Sequence, residues 1–414
     1  MAQMYFLIFL GLVLGVKGTE DKLEAVVVIF RHGDRTPVKP YPNDPYKNKS
    51  YWPVGFGQLT NRGKQQHYQL GQWLRSRYDG FIPAAYSEND IYVRSTDVDR
   101  TLMSAEANLA GLYPPPPTQT WNKDLKWEPI PIHTIPQKSD ALLAMKKPCA
   151  KYTMLYKKLF KTEYFRNISH QNHDLYAYLT KNSGELISDI SSLQFLHNTL
   201  YIETLFNYTL PPWATKVFPS KLQPWANLAF ALDTFTPELT RLKTGPLMNH
   251  IIVFFKNHTI SAPDTHKFLM LSAHDTTIAD VLNTLGAFQY HCPPYTSTII
   301  FELRTRLNGQ MYINALYKNS SVPRPIKVRN CDVDCDFEDF VENLKPFAMT
   351  LDQWEIECRI RWAFVWPLTF QWNIILVCSL ITVILLLSAV IVGIKKAKKE
   401  NDNNYIQLPN EEYA

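Results

Sequence analysis

The chain has 414 residues, of which 46% are hydrophobic and 20% charged, and its formal net charge is +5. This is the composition of a globular protein with a sizeable core, so disordered, collagen-like and coiled-coil classes are excluded. Because the positive excess is small and no basic block lies outside the C-terminal tail, we do not expect a nucleic-acid-binding protein.

The first 18 residues predict a secretory signal peptide. An apolar run from Tyr5 to Val16 is followed by Val16-Lys17-Gly18, which fits a cleavage site before Thr19. The segment before the apolar run lacks Lys and Arg, and a buried N-terminal strand is the alternative interpretation.

Short apolar runs then alternate with helical patterns, which predicts an α/β fold. The first run is β-branched and continuous, as in strands that are buried on both faces of a parallel sheet. The predicted elements of this part are a strand over Glu24–Phe30, a helix over Thr60–Phe81 capped by Thr60, a strand over Asp90–Val93, and a helix capped by Ser95 and Thr96 that ends at Pro114–Pro117.

Residues from about 135 to 245 have helical periodicity and few patterns of buried strands, which predicts a largely helical insertion. Strand character returns after it, and an Asn-Gly pair marks a hairpin. The predicted elements are a strand over Lys267–Ala273, a helix over Thr276–Leu285, and hairpin strands over Ser297–Thr305 and Gln310–Lys318 joined at Asn308-Gly309.

A second long apolar run lies near the C-terminus. Ile374–Ile394 is long enough to span a bilayer, and the lysines of 395–399 follow directly, so the C-terminal side is expected to be cytoplasmic. A buried core helix is the alternative. The predicted organisation is a signal peptide (1–18), a lumenal or extracellular domain (19–365), a single type I transmembrane helix (374–394) and a cytoplasmic tail (395–414).

Glycosylation sequons and cysteines agree with a lumenal domain. The predicted glycosylation sites are Asn48, Asn167, Asn207, Asn257 and Asn319. Cys331 and Cys335 are close enough in sequence for a short-loop disulfide, and a zinc site there lacks a second Cys or His pair. Cys378 lies in the predicted membrane helix.

Charged and imidazole side chains follow three of the predicted strands directly, where open α/β sheets bind ligands. The first corner reads Arg31-His32-Gly33-Asp34-Arg35. Guanidinium groups suit phosphate, and an imidazolium between two of them is disfavoured, so His32 is expected to be neutral and nucleophilic. A surface loop with an incidental histidine is the alternative.

The second and third corners add to this set. Arg94 opens the string Arg94 to Arg100 at a helix start, although a structural ion pair would also explain it. His274-Asp275 can bind phosphate and protonate a leaving oxygen, respectively. A metal hydrolase would need further ligands at readable spacing, and a structural His-Asp hydrogen bond is the third interpretation.

Together these segments closely resemble the histidine acid phosphatases, a branch of the histidine phosphatase superfamily. The resemblance covers roughly Leu23 to Cys358 and includes further strings. They are Phe56-Gly57-Gln58-Leu59-Thr60, Arg94 to Ala105, Leu210-Pro211-Pro212-Trp213-Ala214 and Cys292-Pro293-Pro294-Tyr295. Signal, single span and short tail are similar to those of the lysosomal, prostatic and invertebrate membrane-bound members.

The resemblance implies a three-layer αβα sandwich, as in phosphoglycerate mutases, with a smaller helical cap. It implies that His32 forms a phosphohistidine and that Asp275 protonates the leaving alcohol. The implied phosphate ligands are Arg31, Arg35, Arg94 and His274. Phosphate monoesters would be hydrolysed at acidic pH without a cofactor or metal.

The resemblance also implies disulfides Cys149–Cys358 and Cys331–Cys335. Ile202 stands where a partner for Cys292 is expected, which leaves Cys292 as a candidate free thiol. In the tail, the Tyr405-Ile406-Gln407-Leu408 string is interpreted as a signal read by a clathrin adaptor, with an unstructured tail as the alternative.

The sequence is compatible with more than one cellular location, assembly and function. A lysosomal or endosomal membrane and the plasma membrane are both compatible locations, and a homodimer is one candidate assembly. The alternative functions are a catalytically silent surface glycoprotein with the same fold, a phytase, or a lysophospholipid phosphatase. The enzyme alternatives would be distinguished by the cap and the rim of the pocket.

Overall fold

The computed structural model describes residues 21–260, 265–359 and 368–404. The chain divides into two compact units, one that ends at Arg359 and one that follows it. The predicted signal peptide lies outside the described residues, as do the tail residues Tyr405 and Leu408.

Strands and helices alternate at both ends of the first unit, and helices alone fill its middle. In chain order the elements of the first unit are β1 (Lys22–Arg31), α1 (Asn61–Arg77), β2 (Ile91–Ser95), α2 (Asp99–Leu112), α3 (Ala150–Leu159), α4 (Glu163–Gln171), α5 (His173–Ser183), α6 (Ile190–Leu205), α7 (Pro212–Thr215), α8 (Gln223–Ala229), α9 (Pro237–Thr259), β3 (Phe268–Ala273), α10 (Asp275–Thr284), β4 (Thr298–Thr305), β5 (Met311–Lys318), β6 (Arg324–Pro325), β7 (Cys335–Asp336), α11 (Phe337–Leu344) and α12 (Leu351–Cys358).

The strands of the described part form one mixed sheet in the order β2-β3-β1-β4-β5-β6, with β7 also paired to β5. β2, β3 and β1 are parallel, whereas β4 is antiparallel to β1 and forms the predicted hairpin with β5. In the parallel part Arg31 lies beside Ala273, and Ser95 lies beside Ser272. The carboxyl ends of the three parallel strands therefore meet at one edge of the sheet.

Both faces of β1 are buried, as its continuous apolar run predicts. Val26, Val28 and Phe30 lie in a cluster with side chains of α1 and α2. Alternate residues of β1 lie in a second cluster on the other face, with side chains of α9 and α10. The fold is therefore an α/β sandwich with helices on both faces of the sheet.

The helices α1 and α2 pack backbone against backbone. A Cβ on Gly71 of α1 would lie 2.0 Å from the carbonyl oxygen of Asn108, and a Cβ on Gly111 of α2 would lie 2.2 Å from that of Tyr68. Since such distances are far below van der Waals contact, glycine at these two positions sets the separation of the helices.

Two of the predicted helix ends need correction. Thr60 caps α1 as predicted, because its hydroxyl accepts from the Gly63 amide at 3.1 Å, but α1 ends at Arg77 and not at Phe81. Ser95 and Thr96 do not cap α2, which begins at Asp99 after Val98. The Thr96 hydroxyl instead lies 3.0 Å from the His274 ring and 2.8 Å from the Thr101 hydroxyl in the first turn of α2.

The predicted helical insertion corresponds to α3–α9. Its two main apolar clusters are separate from those of the sheet, and α6 contributes to both of them through Ile190, Leu193 and Leu200. The last helix, α9, continues beyond residue 245, and its second half packs on the sheet through Met248 and Ile251. We refer to α3–α8 as the cap.

The second unit contains α13 (Leu368–Asn404). Within it Asn373–Lys399 is long and apolar enough to cross a membrane by its length and composition. Its apolar side chains are exposed. These properties are compatible with the predicted membrane anchor.

Candidate active site

The carboxyl edge of the parallel strands brings the three predicted corners together. The His32 amide donates to the Ala273 carbonyl at 3.0 Å, and the Thr96 amide donates to Ser272 at 3.1 Å. The backbone of residues 31–32, 95–96 and 273–274 is thereby held side by side, in the crevice where open α/β sheets place their ligands.

The loop after β1 is clamped between the starts of α1 and α2. A Cβ on Gly33 would lie 2.4 Å from the Gly63 carbonyl oxygen, so only glycine allows this approach. The Gly33 amide donates to the Ser104 hydroxyl at 3.1 Å, and the Thr60 hydroxyl donates to the buried Asp34 carboxylate at 2.6 Å. These contacts fix the backbone on both sides of His32.

His32 is buried and has one defined tautomer. Its Nδ1 lies 2.8 Å from the carbonyl oxygen of Gly33, which can only accept, so Nδ1 carries the proton and Nε2 keeps its lone pair. Burial, followed by the charges of Arg100 and Arg31, lowers the pKa of His32 well below its ordinary value. Both effects favour the neutral form of the imidazole.

Three buried or largely buried guanidinium groups surround this ring. Arg31 pairs with Asp275 (Nη2 to Oδ2, 2.8 Å), and Arg35 donates to the Asn198 side chain at 3.1 Å. Arg100 has its Nη2 3.5 Å from Nδ1 of His274. The Nε of each of these arginines is buried and has no hydrogen-bond partner among the described residues.

The charge of this cluster is poorly compensated. Of the three arginines, only Arg31 has a carboxylate within 4 Å among the described residues. Burial and the neighbouring Arg35 lower the pKa of Arg100 to about 10, which is a sign of like charges held together. Such a cluster with unpartnered buried N–H groups suits a multivalent anion such as a phosphate group.

His274 and Asp275 begin α10 at the same edge. The His274 Nε2 lies 3.0 Å from the Thr96 hydroxyl, and burial with the charge of Arg100 lowers its pKa to about 3, so its ring is also neutral. Asp275 accepts the Thr276 amide at 2.9 Å. The pKa of Asp275 is lowered overall. Burial alone would raise this pKa, but the positive charges of Arg31 and, to a smaller extent, Arg35 outweigh the effect of burial.

Arg94 does not join the arginine cluster. It belongs to β2 and its Nη2 lies 2.7 Å from Oδ1 of Asp140, a fully buried carboxylate that also accepts the amides of Leu142, Leu143 and Ala144. Its Nε is also unpartnered, but its charge is neutralised. The structure thus places Arg94 outside the cluster in which the sequence analysis expected it, and Arg100 lies there instead.

Tyr295 is a second residue that sequence reasoning missed. Arg31 lies over its ring (Cζ to centroid, 4.2 Å), and its ring centroid is 6.0 Å from that of His32. Its hydroxyl is buried without a partner among the described residues. The surrounding loop holds Arg31, since Pro293 accepts from the guanidinium and Ser297 accepts the Arg31 amide at 2.9 Å.

A cavity of about 530 Å³ adjoins the arginine cluster, between the loop after β1 and helix α6 of the cap. Arg35 and Asp275 are among the residues that line it. The side chain of Asn198 on α6 reaches Arg35, so the cap contributes directly to the arrangement of the cluster.

The cysteines and the glycosylation sequons lie away from the cavity and were also the subject of predictions. Both predicted disulfides, Cys149–Cys358 and Cys331–Cys335, are present, and Cys292 is free. The five sequon asparagines are all exposed, and whether they carry glycans stays a prediction.

A profile of the Histidine phosphatase superfamily (branch 2) matches residues 22–318, which is more than half of the chain. The chain belongs to this superfamily. The family assignment made from the corner motifs is thereby confirmed.

Two similar proteins are named acid phosphatases. Human (Homo sapiens) prostatic acid phosphatase is 38% identical over 361 residues, covering 85% of this chain and 92% of its own. Lysosomal acid phosphatase of Rattus norvegicus is 37% identical over 368 residues, covering 87% of this chain and 85% of its own.

Solved structures confirm the fold. The Citrobacter braakii phytase superposes with a TM-score of 0.61 at 18% identity, covering 82% of this chain and 100% of its own. The Hafnia alvei phytase in complex with tartrate gives the same TM-score at 18% identity, covering 83% of this chain and 100% of its own. The low identity limits this likeness to the fold.

Proposed function

We propose that this chain is an acid phosphatase that hydrolyses phosphate monoesters through a phosphohistidine at His32, without a metal. The observation that carries the proposal is a buried, neutral His32 inside a cluster of three arginines with unpartnered N–H groups. Phosphoryl transfer requires mainly positioning and neutralisation of the phosphate charge, which arginines can supply. The acid phosphatase names of the relatives support the same reaction.

In the first step the Nε2 lone pair of His32 attacks phosphorus. The N–P bond forms while the bond from phosphorus to the ester oxygen breaks, and the departing oxygen takes the proton of Asp275. Arg31, Arg35 and Arg100 hold the phosphoryl oxygens as charge builds on them. His274 is held by Thr96 beside the same oxygens.

In the second step water attacks the phosphohistidine. The ionised Asp275 carboxylate accepts a proton from the water as the new P–O bond forms, and the N–P bond breaks to return the lone pair to Nε2. Inorganic phosphate leaves and Asp275 is protonated for the next cycle. Asp275 therefore acts first as an acid and then as a base.

The protonation states of Asp275 and His32 explain why acidic conditions favour the reaction. Arg31 holds the pKa of Asp275 low when the cluster binds no anion. A bound phosphate group shares the charge of the arginines and so weakens this effect, which raises the pKa of Asp275 in the complex. Asp275 is then protonated in acid, while His32 stays neutral because its own pKa is lowered.

We also propose a location for the enzyme. The signal peptide, the helix Asn373–Lys399 and the name of the lysosomal relatives support a type I protein of the lysosomal or plasma membrane with its phosphatase domain outside the cytosol. The Tyr405–Leu408 string would direct its sorting through a clathrin adaptor. A homodimer of the domain is a further proposal.

The decisive experiment measures phosphate release from small monoesters by the full chain in detergent between pH 4 and 8, with and without a chelator. His32→Ala is expected to abolish turnover. Under rapid alkaline quench, which preserves the acid-labile N–P bond, ³²P-labelled substrate is expected to label the wild type on histidine and to leave His32→Ala unlabelled.

Other results would redirect the assignment. A folded wild-type chain without turnover would favour a silent surface glycoprotein with this fold. Loss of turnover only with chelator would contradict the metal-independent mechanism and would restore a metal-binding interpretation of His274 and Asp275.

A further inference from the structure

The cavity beside the arginine cluster is formed in large part by one stripe of α6. Ser192, Phe195, Leu196 and Thr199 line it, and their spacing of three, four and seven residues places them on one face of the helix. A neighbouring face packs into the cap through Leu193 and Leu200. The helix therefore has apolar side chains toward its own core and toward the cavity.

Apolar side chains form much of the wall of this cavity, and two of them are open to solvent. Phe195 is 66% exposed and Val38 is 55% exposed, and both line the same cavity as Arg35 and Asp275. Exposed apolar surface next to a ligand site favours an apolar group of the ligand. The apolar wall residues are Val38, Pro40, Tyr41, Phe195, Leu196 and Phe230.

The charged residues of the cavity do not suit a second anionic group. Apart from Arg35 and Asp275, the ionic side chains among the described residues that line it are Lys39 and Glu185. They form a 2.8 Å ion pair with each other, so neither offers an uncompensated charge. A ligand with several phosphates would have to place all but one of them against apolar or neutral side chains.

The geometry points to phosphate monoesters of hydrophobic alcohols as the preferred substrates, with the phosphate on the arginine cluster and an alkyl or aryl group between Phe195 and Val38. This inference rests on the proposed function for turnover, but the binding preference follows from the cavity itself. Phe195 is the specificity-determining residue, because it is the most exposed of the large apolar side chains that line the cavity.

Binding of non-hydrolysable probes tests this separately from catalysis. We would titrate methyl, butyl and octyl phosphonate into the full chain in lipid nanodiscs by calorimetry at pH 5. Affinity is expected to rise about two- to fourfold for each added methylene until the cavity is filled. Phe195→Gln is expected to reduce the ratio of octyl to methyl affinity at least fivefold, while methyl phosphonate binding changes less than twofold.

Leu307→Gln is the matched control, since Leu307 is 73% exposed on the β4–β5 turn and does not line the cavity. Leu307→Gln is expected to leave the ratio of octyl to methyl phosphonate affinity unchanged. Because nanodiscs that carry either variant take up the same amount of alkyl phosphonate, this control also corrects for partition into lipid. Affinity that does not depend on chain length, or an equal loss in both variants, would overturn the inference.

Turnover of butyl phosphate, octyl phosphate and inositol hexakisphosphate completes the test. Octyl phosphate is expected to have the highest kcat/KM and inositol hexakisphosphate the lowest. Preferential hydrolysis of inositol hexakisphosphate would contradict the inference. Chain-length-dependent binding with no turnover of any ester would uphold it and would instead contradict the proposed function.

Discussion

Arg94 and Arg100 come from the same sequence string but have different partners. Arg94 neutralises Asp140 and so holds the backbone of residues 140–144, whereas Arg100 contacts His274 and has no carboxylate partner among the described residues. A buried ion pair stabilises a local structure, while an uncompensated cation beside a nucleophile binds an anion.

Alanine at each position is expected to separate these roles. Arg100→Ala should lower kcat/KM about 10²- to 10³-fold, as for loss of one oxyanion-binding group, with little change in melting temperature. Arg94→Ala should instead destabilise the fold by about 3 kcal/mol, because it leaves the Asp140 carboxylate buried without its cation. Steady-state kinetics and thermal unfolding of both variants check this, and the reverse pattern would restore Arg94 as a phosphate ligand.

The acid role of Asp275 predicts a dependence on the leaving group. Asp275→Asn should reduce kcat/KM, which reports the phosphorylation step, on an alkyl phosphate about 10²- to 10⁴-fold, since an alkoxide leaves poorly without a proton. On nitrophenyl phosphate, whose phenolate leaves readily, the loss should be at least tenfold smaller. Equal losses of kcat/KM on the two substrates would contradict the role of Asp275 as the acid of the first step.

The sequence predicted most of the site but not its third arginine. Arg31, His32, Arg35 and the pair His274-Asp275 follow buried strands directly, so the strand ends alone bring them together. The choice between Arg94 and Arg100 depends on the face of β2 on which a side chain lies and on where α2 begins. One feature could have distinguished the two arginines. Arg94 lies inside β2, whereas Arg100 lies in the first turn of α2, at the carboxyl edge of the sheet.

At the scale of elements, the contact between α1 and α2 supports the site. Helix α1 begins at the loop that holds Gly33, and α2 carries Arg100 and Ser104, which contact His274 and Gly33 respectively. The distance between these helices is set by Gly71 and Gly111. Packing between the two helices and the shape of the catalytic loop are therefore linked.

Gly71→Ala is expected to destabilise the domain by about 2 kcal/mol and to lower activity as well, since the added Cβ must push the helices apart. Gly55→Ala is the matched control, because its Cβ would meet side-chain atoms only at 3.5 Å or more. Urea unfolding and kcat/KM measure both effects. Wild-type stability of Gly71→Ala would contradict the close packing.

Elements with a local pattern were the best predicted. β1, β3, α10 and the β4–β5 hairpin all follow from periodicity and turn residues, within one or two residues at their ends. Helix α6 could not be interpreted in this way, because one of its apolar faces packs in the cap and another lines the cavity. Tertiary contacts with the rest of the chain decide which face packs in the cap and which face lines the cavity.

At the scale of the whole molecule, a buried acid links stability to pH. Glu203 on α6 is fully buried, and neither carboxylate oxygen has a hydrogen-bond partner among the described residues. Burial, with a smaller effect of the nearby Asp44, raises the pKa of Glu203 to about 8. The folded protein therefore holds this group protonated under conditions in which the unfolded chain has lost the proton.

The sign of the effect follows from linkage. Because the pKa is raised on folding, the stabilisation is complete below the unfolded pKa of about 4.5 and is lost as the pH rises toward about 8. Glu203→Gln is expected to flatten this loss, with a melting temperature near that of wild type at pH 4.5 and a higher one at pH 7.5. The exposed Glu106→Gln should leave the pH profile unchanged. Parallel profiles for Glu203→Gln and wild type would contradict the assignment.

The position of β1 in the sheet has a consequence for biosynthesis. β1 is made first, yet residues 32–267 must be translated before its parallel neighbour β3 exists, and β4 comes later still. Until then the run Ala25–Phe30 is an apolar strand with both edges unpaired, a segment prone to aggregation. Under the proposed secretory route, lumenal chaperones would protect this strand, which is followed directly by His32, until its partners are made.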